Sequence, residues 1–213
     1  MSKHQPARAE NLRRAIAQEA ARIMAEHGVR DFLVAKRKAA ERYGVVDGGL
    51  LPKNIEIEEA LAGYQRLFGG ESHAESLQSQ RSAALEAMQW LEEFQPRLVG
   101  PVLAGTATGH VEVQLHLFAD RAEAVSLKLM DQGIAHEVGE RRVKLNAERM
   151  QAYPAVRFEM AGEPIEAVVF PRDGIRQAPA SPVDGKPMRR ADTAEVEALL
   201  GGEQPTANRL QPG

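Results

Sequence analysis

The sequence predicts an α+β fold, with an N-terminal helical region (residues 1–95) packed on a mixed or antiparallel sheet. Three observations predict it. Apolar residues recur at helical spacing through most of the chain up to Phe94. Past Pro96 the period changes to the two-residue alternation of strands, clearest where Val111, Val113, Leu115 and Leu117 alternate with His110, Glu112, Gln114 and His116. Strand, strand, helix and two hairpins then follow in order, which is the pattern of an α+β fold and not of a repeated strand-helix unit. Residues 96–175 make the α+β domain on this reading, and 176–213 a turn-rich, partly disordered tail.

A first helix is expected over Pro6–His27, stopped by Gly28, with His27 suited to the negative end of the helix dipole. A second runs from Asp31, a capping residue, to Tyr43. The glycines of 44–51 make a loop, and Asn54 then caps a helix whose inner face is Ile57, Leu61, Tyr64 and Phe68. A long helix over Ser72–Phe94 carries Leu77, Ala84, Leu85, Met88 and Leu91, with Trp90 beside that stripe and expected to cover core. Leu98–Ala104 reads as a short strand, and the alternating strand follows it. Asp120 with Glu123 has the form of a capping box for a helix ended by Gly133. Gly139-Glu140 marks one hairpin turn, Asn146 caps a short helical turn through Tyr153, and residues 161–163 mark a second hairpin. A short helix at Ala194–Leu200, capped by Asp192 or Thr193, precedes an end expected to be disordered.

Composition excludes several function classes. A formal net charge of -3 over 213 residues is not that of a strongly basic nucleic-acid binder. With no cysteine there is no disulfide, thiolate nucleophile or cysteine metal site, which suits a reducing cytoplasm. No segment approaches the ~20 apolar residues needed to span a bilayer, so no membrane partner and a cytoplasmic location are expected.

The chemistry-bearing stretch is Gly105–Phe118. A glycine-threonine turn there precedes a strand with one apolar and one polar face. The polar side chains make a candidate site, although an antiparallel strand with one solvated face has the same appearance. Zinc between His110 and His116 is excluded by distance, because six strand residues span about 20 Å. No serine sits on a glycine-flanked elbow, which removes a serine hydrolase. Two basic clusters offer further contacts. Lys36, Arg37, Lys38 and Arg42 share a helix, and Lys186, Arg189 and Arg190 are able to attract an anion if the tail folds back over the sheet.

A small-residue pair after a strand, a carboxylate on the next strand and another on a later strand resemble the nucleotidyltransferase superfamily of DNA polymerase beta and its minimal bacterial relatives. In that family a turn holds a triphosphate by its amides, and carboxylates bind two divalent ions that drive phosphoryl transfer. The resemblance covers 98–170. It implies that Gly105 and Thr106 stand at the phosphate turn; Lys186 and Arg189, outside that span, join them as nucleotide contacts from the basic cluster of the tail. Glu112 and Gln114 stand for the paired aspartates and Glu166 for the third carboxylate. Mg or Mn and a nucleoside triphosphate are the implied cofactors, and Glu112 and Glu166 the catalytic groups. Gln114 departs from the pattern, being neutral where a hard cation wants an anion. The implied function is a nucleotidyltransferase-like protein with a degenerate metal site, binding a nucleotide or other phosphate-bearing partner with weak or no catalysis. The alternative is a non-enzymatic interaction module that meets protein or nucleic acid through the basic helix at 36–42.

Overall fold

The computed structural model describes residues 4–45, 48–108, 111–146 and 149–202, and its fold is α+β. His110 and the end at 203–213, expected to be disordered, lie outside the described residues. Helices α1 (His4–His27), α2 (Phe32–Arg42) and α3 (Asn54–Tyr64) pack on one another through Ile16, Ala20, Ile23, Ala35, Ala39, Ile57 and Leu61, all buried. Asp31 starts α2 by accepting the Val34 N–H at 2.9 Å. A π-helical turn, Gln65–Gly69, joins α3 to α4 (Gly70–Trp90). The wider turn rotates Phe68 off the face set by Ile57 and Leu61. Phe68, expected in the core, is instead 70% exposed, and its neighbour Leu67 is 77% exposed.

Helix α4 belongs with the sheet. Its Ala84, Ala87, Met88 and Leu91 pack into the same cluster as the inner sides of the strands. Trp90 stands two residues past Met88, about 200° round the helix, so it is 40% exposed where the sequence led us to expect it covered. The strands are β1 (Arg97–Val99), β2 (Val113–Phe118), β3 (His136–Lys144), β4 (Met150–Met160) and β5 (Glu163–Phe170). They lie in the order β1-β2-β5-β4-β3, with β2 parallel to β5 and the other pairs antiparallel, so the sheet is mixed.

Three local expectations are corrected. The strand expected to reach Ala104 stops at Val99 and turns into a short helix, α5 (Gly100–Ala104), because Pro101 suits a first helical turn and has no N–H for a ladder. Gly139 and Glu140 form no turn. They lie within β3, opposite Ala155 and Pro154 of β4. The turn sits instead after Lys144, where Asn146 Oδ1 accepts the Arg149 N–H at 2.9 Å, and the expected helical turn is the start of β4. The second hairpin is where it was expected: Ala161 and Gly162 take φ of 50° and 80°, the positive pair that a tight hairpin requires.

Val113, Leu115 and Leu117 of β2, Ile165, Ala167 and Val169 of β5, and Val156 and Phe158 of β4 face α4, α5, α6 (Glu123–Asp131) and α7 (Thr193–Leu200). Residues 171–192 cross the opposite face, reach β1 through a Leu98–Ala191 bridge, and lead into α7, whose cap Asp192 accepts the Glu195 N–H at 3.0 Å. Buried Ala191 and Val196 make this region part of the sheet's core, and not a loose tail. Among the described residues no helix is long and apolar enough to cross a membrane.

The two extremes of burial predict opposite mutational outcomes. Leu115→Ala removes a fully buried side chain and should lose about 2–5 kcal/mol in urea unfolding. Leu67→Ala at the exposed π turn should change stability by no more than about 0.5 kcal/mol.

Candidate functional site: the second face of the sheet

Because β2 alternates, burying Val113, Leu115 and Leu117 under the helices turns Gln114, His116 and Phe118 to the other face. Register sets their neighbours. Gln114 and His116 lie beside Glu166 and Val168 of β5 on one side, and beside Val99 and Arg97 of β1 on the other. The sequence led us to expect this face to be solvated, but His116 is buried, because residues 171–192 return across it.

Arg190 is the centre of that crossing. Its Nε donates to His116 Nδ1 at 3.1 Å, and its Nη1 donates to the carbonyls of Gly174 and Ile175 at 2.9 and 3.2 Å. The guanidinium carbon lies 5.0 and 5.4 Å from the ring centres of Phe118 and Phe170, within cation–π range. Its Nη2 is buried and has no hydrogen-bond partner. With Nδ1 accepting, the His116 proton sits on Nε2. Burial, then the Arg190 charge, pushes His116 down to about 3, so the imidazole is neutral. Burial, then Arg97, pushes Arg190 down to about 10, where it still carries its charge at neutral pH.

The residues expected to form a metal and phosphate site are divided among separate partners. Gln114 and Glu166 do lie side by side. Glu166, only 2% exposed, is held between two guanidinium groups: Arg157 donates from Nη2 to its Oε1, and Arg141 Nη1 lies 3.3 Å from its Oε2. Glu112, just before β2, has Arg30 Nη1 3.9 Å from its Oε2. Among the described residues no group of three His, Asp or Glu is placed to hold a metal ion.

The glycine-threonine turn faces the helical layer. Gly105 closes α5 at φ 79°, and its N–H and that of Thr106 both donate to the Pro101 carbonyl, so neither amide is open to a phosphate. The Thr106 hydroxyl donates to Glu58 Oε1 at 2.5 Å, and Gln65 Nε2 donates to the carbonyls of Thr106 and Ala107 at 3.0 and 3.1 Å. Burial raises the Glu58 carboxyl, against the opposing effect of the Thr106 bond. Arg189 is exposed, and its charge adds to burial in lowering Arg81, whose Nη2 would stand 3.5 Å from a Cβ at Gly105. Lys186 lies in an exposed turn where its N–H donates to Asp184 Oδ1 at 3.0 Å. On the basic helix, Lys36 Nζ donates to the Pro52 carbonyl and Asn54 Oδ1, both at 2.7 Å, and Arg42 pairs with Glu19. Exposed Arg37 and Lys38 remain.

Sequence reasoning missed Arg97, Arg141 and Arg157. Each alternates onto the polar face of its strand, but that signal becomes readable only when the register places Arg157 beside Glu166 and Arg97 beside His116.

A buried neutral histidine makes an acid-sensitive protein. The folded pKa lies below the unfolded one, so this contribution is complete above about pH 6.5 and is lost as pH falls from there toward about 3. Urea midpoints measured stepwise from pH 7 to pH 4 should fall by up to about 1.4 kcal/mol of stability per unit from this group. His116→Asn keeps an acceptor for Arg190 and should flatten that slope. Equal slopes in the two proteins would show that folding does not lower the His116 pKa.

Comparison with family models, with curated proteins and with solved structures finds nothing that matches this chain.

Proposed function

We propose that this chain is a non-catalytic binding module that takes a phosphate-bearing ligand, of the nucleotide class, on the second face of its sheet at Arg190, His116 and Arg97. The observation that carries it is the Arg190 guanidinium, set into the sheet with Nη2 unpartnered and with no carboxylate against it among the described residues. Arg97 shares the face, on the residue directly across from His116, and its own Nη1 donates to the carbonyls of Gln95 and Pro96, with no carboxylate paired to it among the described residues. Two guanidinium groups without a counter-ion favour an anion, and the planar fork of arginine suits the paired oxygens of a phosphate.

Turnover is not part of this reading. Phosphoryl transfer on the nucleotidyltransferase pattern needs several anionic oxygens free to hold Mg or Mn. Glu166 is occupied by Arg141 and Arg157, and Gln114 supplies a neutral amide beside it.

Thermal unfolding with inorganic phosphate, ATP and GTP, each with and without Mg²⁺, tests the proposal. A ligand that binds only the folded state at about 100 times its Kd should add roughly 2.7 kcal/mol. The expected result is stabilisation independent of Mg²⁺ and weakened in Arg97→Gln and Arg190→Lys. A shift that appears only with Mg²⁺ would point to the carboxylates instead, and no shift with any of the three overturns the proposal.

A further inference from the structure

One edge of the sheet is left open, and the hydrogen bonds on either side of β3 define which groups it offers. Leu145 N–H donates to the Arg149 carbonyl at 2.9 Å, which makes that pair a hydrogen-bonded one, and the register continues it into β3. In an antiparallel ladder bonded and non-bonded pairs alternate, so Glu137, Gly139, Arg141 and Val143 bond to β4. His136, Val138, Glu140, Arg142 and Lys144 therefore turn both N–H and carbonyl away from it. The Lys144 carbonyl confirms the direction, because it accepts the Ala180 N–H at 2.8 Å from outside the sheet. Pro154 agrees with it, standing opposite Glu140 in a pair that needs no donor.

From His136 to Arg142 the edge runs about 20 Å, with no strand beside it among the described residues. A free edge of this length is a template for another extended chain. Side chains on the outward-turned residues select which one. Val138 is 67% exposed, and Arg142 and Lys144 are exposed with no carboxylate paired to either among the described residues. Arg149 adds to the basic end of the strand, while Glu140 separates it from the apolar end.

We propose that the edge of β3 docks an extended peptide that carries an acidic side chain opposite Arg142, diagonal to Lys144, and an apolar side chain opposite Val138. The peptide adds a sixth strand along 136–142 and ends where Ala180 already occupies the Lys144 carbonyl. A second copy of β3 fits less well. Two-fold pairing centred on Glu140 sets that carboxylate against its own copy, and pairing centred on Arg141 sets two arginines together; like charges directly opposite are destabilising. Pairing centred on Gly139 or Val138 avoids that clash but sets Arg142 against His136 or Ile134, which offer it no carboxylate. The inference is independent of the anion reading, since it uses neither Arg190 nor His116.

Fluorescence anisotropy tests it with a labelled synthetic peptide of about eight residues, the length of the edge. Threonine fills the alternate positions, an aspartate faces Arg142, and valine faces Val138. Binding is expected, falling at least about tenfold when lysine replaces the aspartate, a difference of about 1.4 kcal/mol. Glu140→Pro removes one outward N–H without touching the ladder to β4, so it should abolish binding with the melting temperature unchanged. If that variant unfolds, Arg142→Glu decides instead: it should reverse the preference between the acidic and the lysine peptides. Hydrogen exchange should slow at Val138, Glu140 and Arg142 when the peptide binds. No binding, equal binding of both peptides, or a concentration-dependent dimer that protects the same amides would each overturn the proposal.

Discussion

The structure depends on the need to cover both faces of the central parallel pair, β2 and β5. Parallel strands are rarely left with a wet face, and here one side is closed by α4, α5, α6 and α7. The other side has no helix to spare, because α1, α2 and α3 use their apolar faces on one another. The chain closes it with its own residues 171–192. Phe118, Ala155, Val168 and Phe170 form a small second cluster there, with Ile175 packed against it. A cluster of that size cannot hold an irregular segment by apolar contact alone, and Arg190 supplies the polar attachment through His116, Gly174 and Ile175. An irregular segment brings carbonyls that need donors, and a guanidinium offers five.

That closure explains why part of the architecture was legible in the sequence and part was not. The alternation through β2 identified Val113, Leu115 and Leu117 as an inner face, since every second residue must be apolar whatever the strand pairs with. Asp31 and Asp192 were legible as caps because a cap is a contact over three residues. His116 was not legible as buried, because what covers it arrives 74 residues later. Trp90 and Phe68 show a different limit. Apolar character near a stripe does not decide burial when the residue stands round the helix from the buried side, as Trp90 does at the end of α4, or when a π turn shifts the phase by a residue. Gly139-Glu140 resembled a turn, but a glycine inside a strand is equally compatible with a ladder position, and the longer pairing with β4 prevailed.

Charge is distributed by the same logic. The carboxylates that the nucleotidyltransferase resemblance singled out are individually satisfied, Glu166 by Arg141 and Arg157 and Glu112 by Arg30. A buried carboxylate without such partners would be costly, and removing one partner would leave a stranded charge, so this trio is best understood as a local structural unit. Among the described residues, Arg97 and Arg190 are left on that face without an opposite charge paired to them. Candidate carboxylates were easy to see in the sequence because they sit in the alternating strand. The arginines that neutralise them come from β3 and β4, and only the register joins the two sets.

The two edges of the sheet receive unequal treatment from the segment that crosses it. Among the described residues its backbone bonds β3 at Lys144, through Ala180, and reaches β1 at Leu98, where Ala191 pairs in both directions at 2.8 and 2.9 Å. The β1 edge is three residues long and bridged within that length. The β3 edge is nine residues long and is met only at its end. Proteins protect a long edge with charge, with proline or with a bulge, and β3 has only the first, as Glu137, Glu140, Arg141, Arg142 and Lys144. Charges of both signs discourage indiscriminate pairing but do not forbid it, because a strand of matched pattern meets them as partners. The same residues that keep β3 from aggregating therefore make it selective.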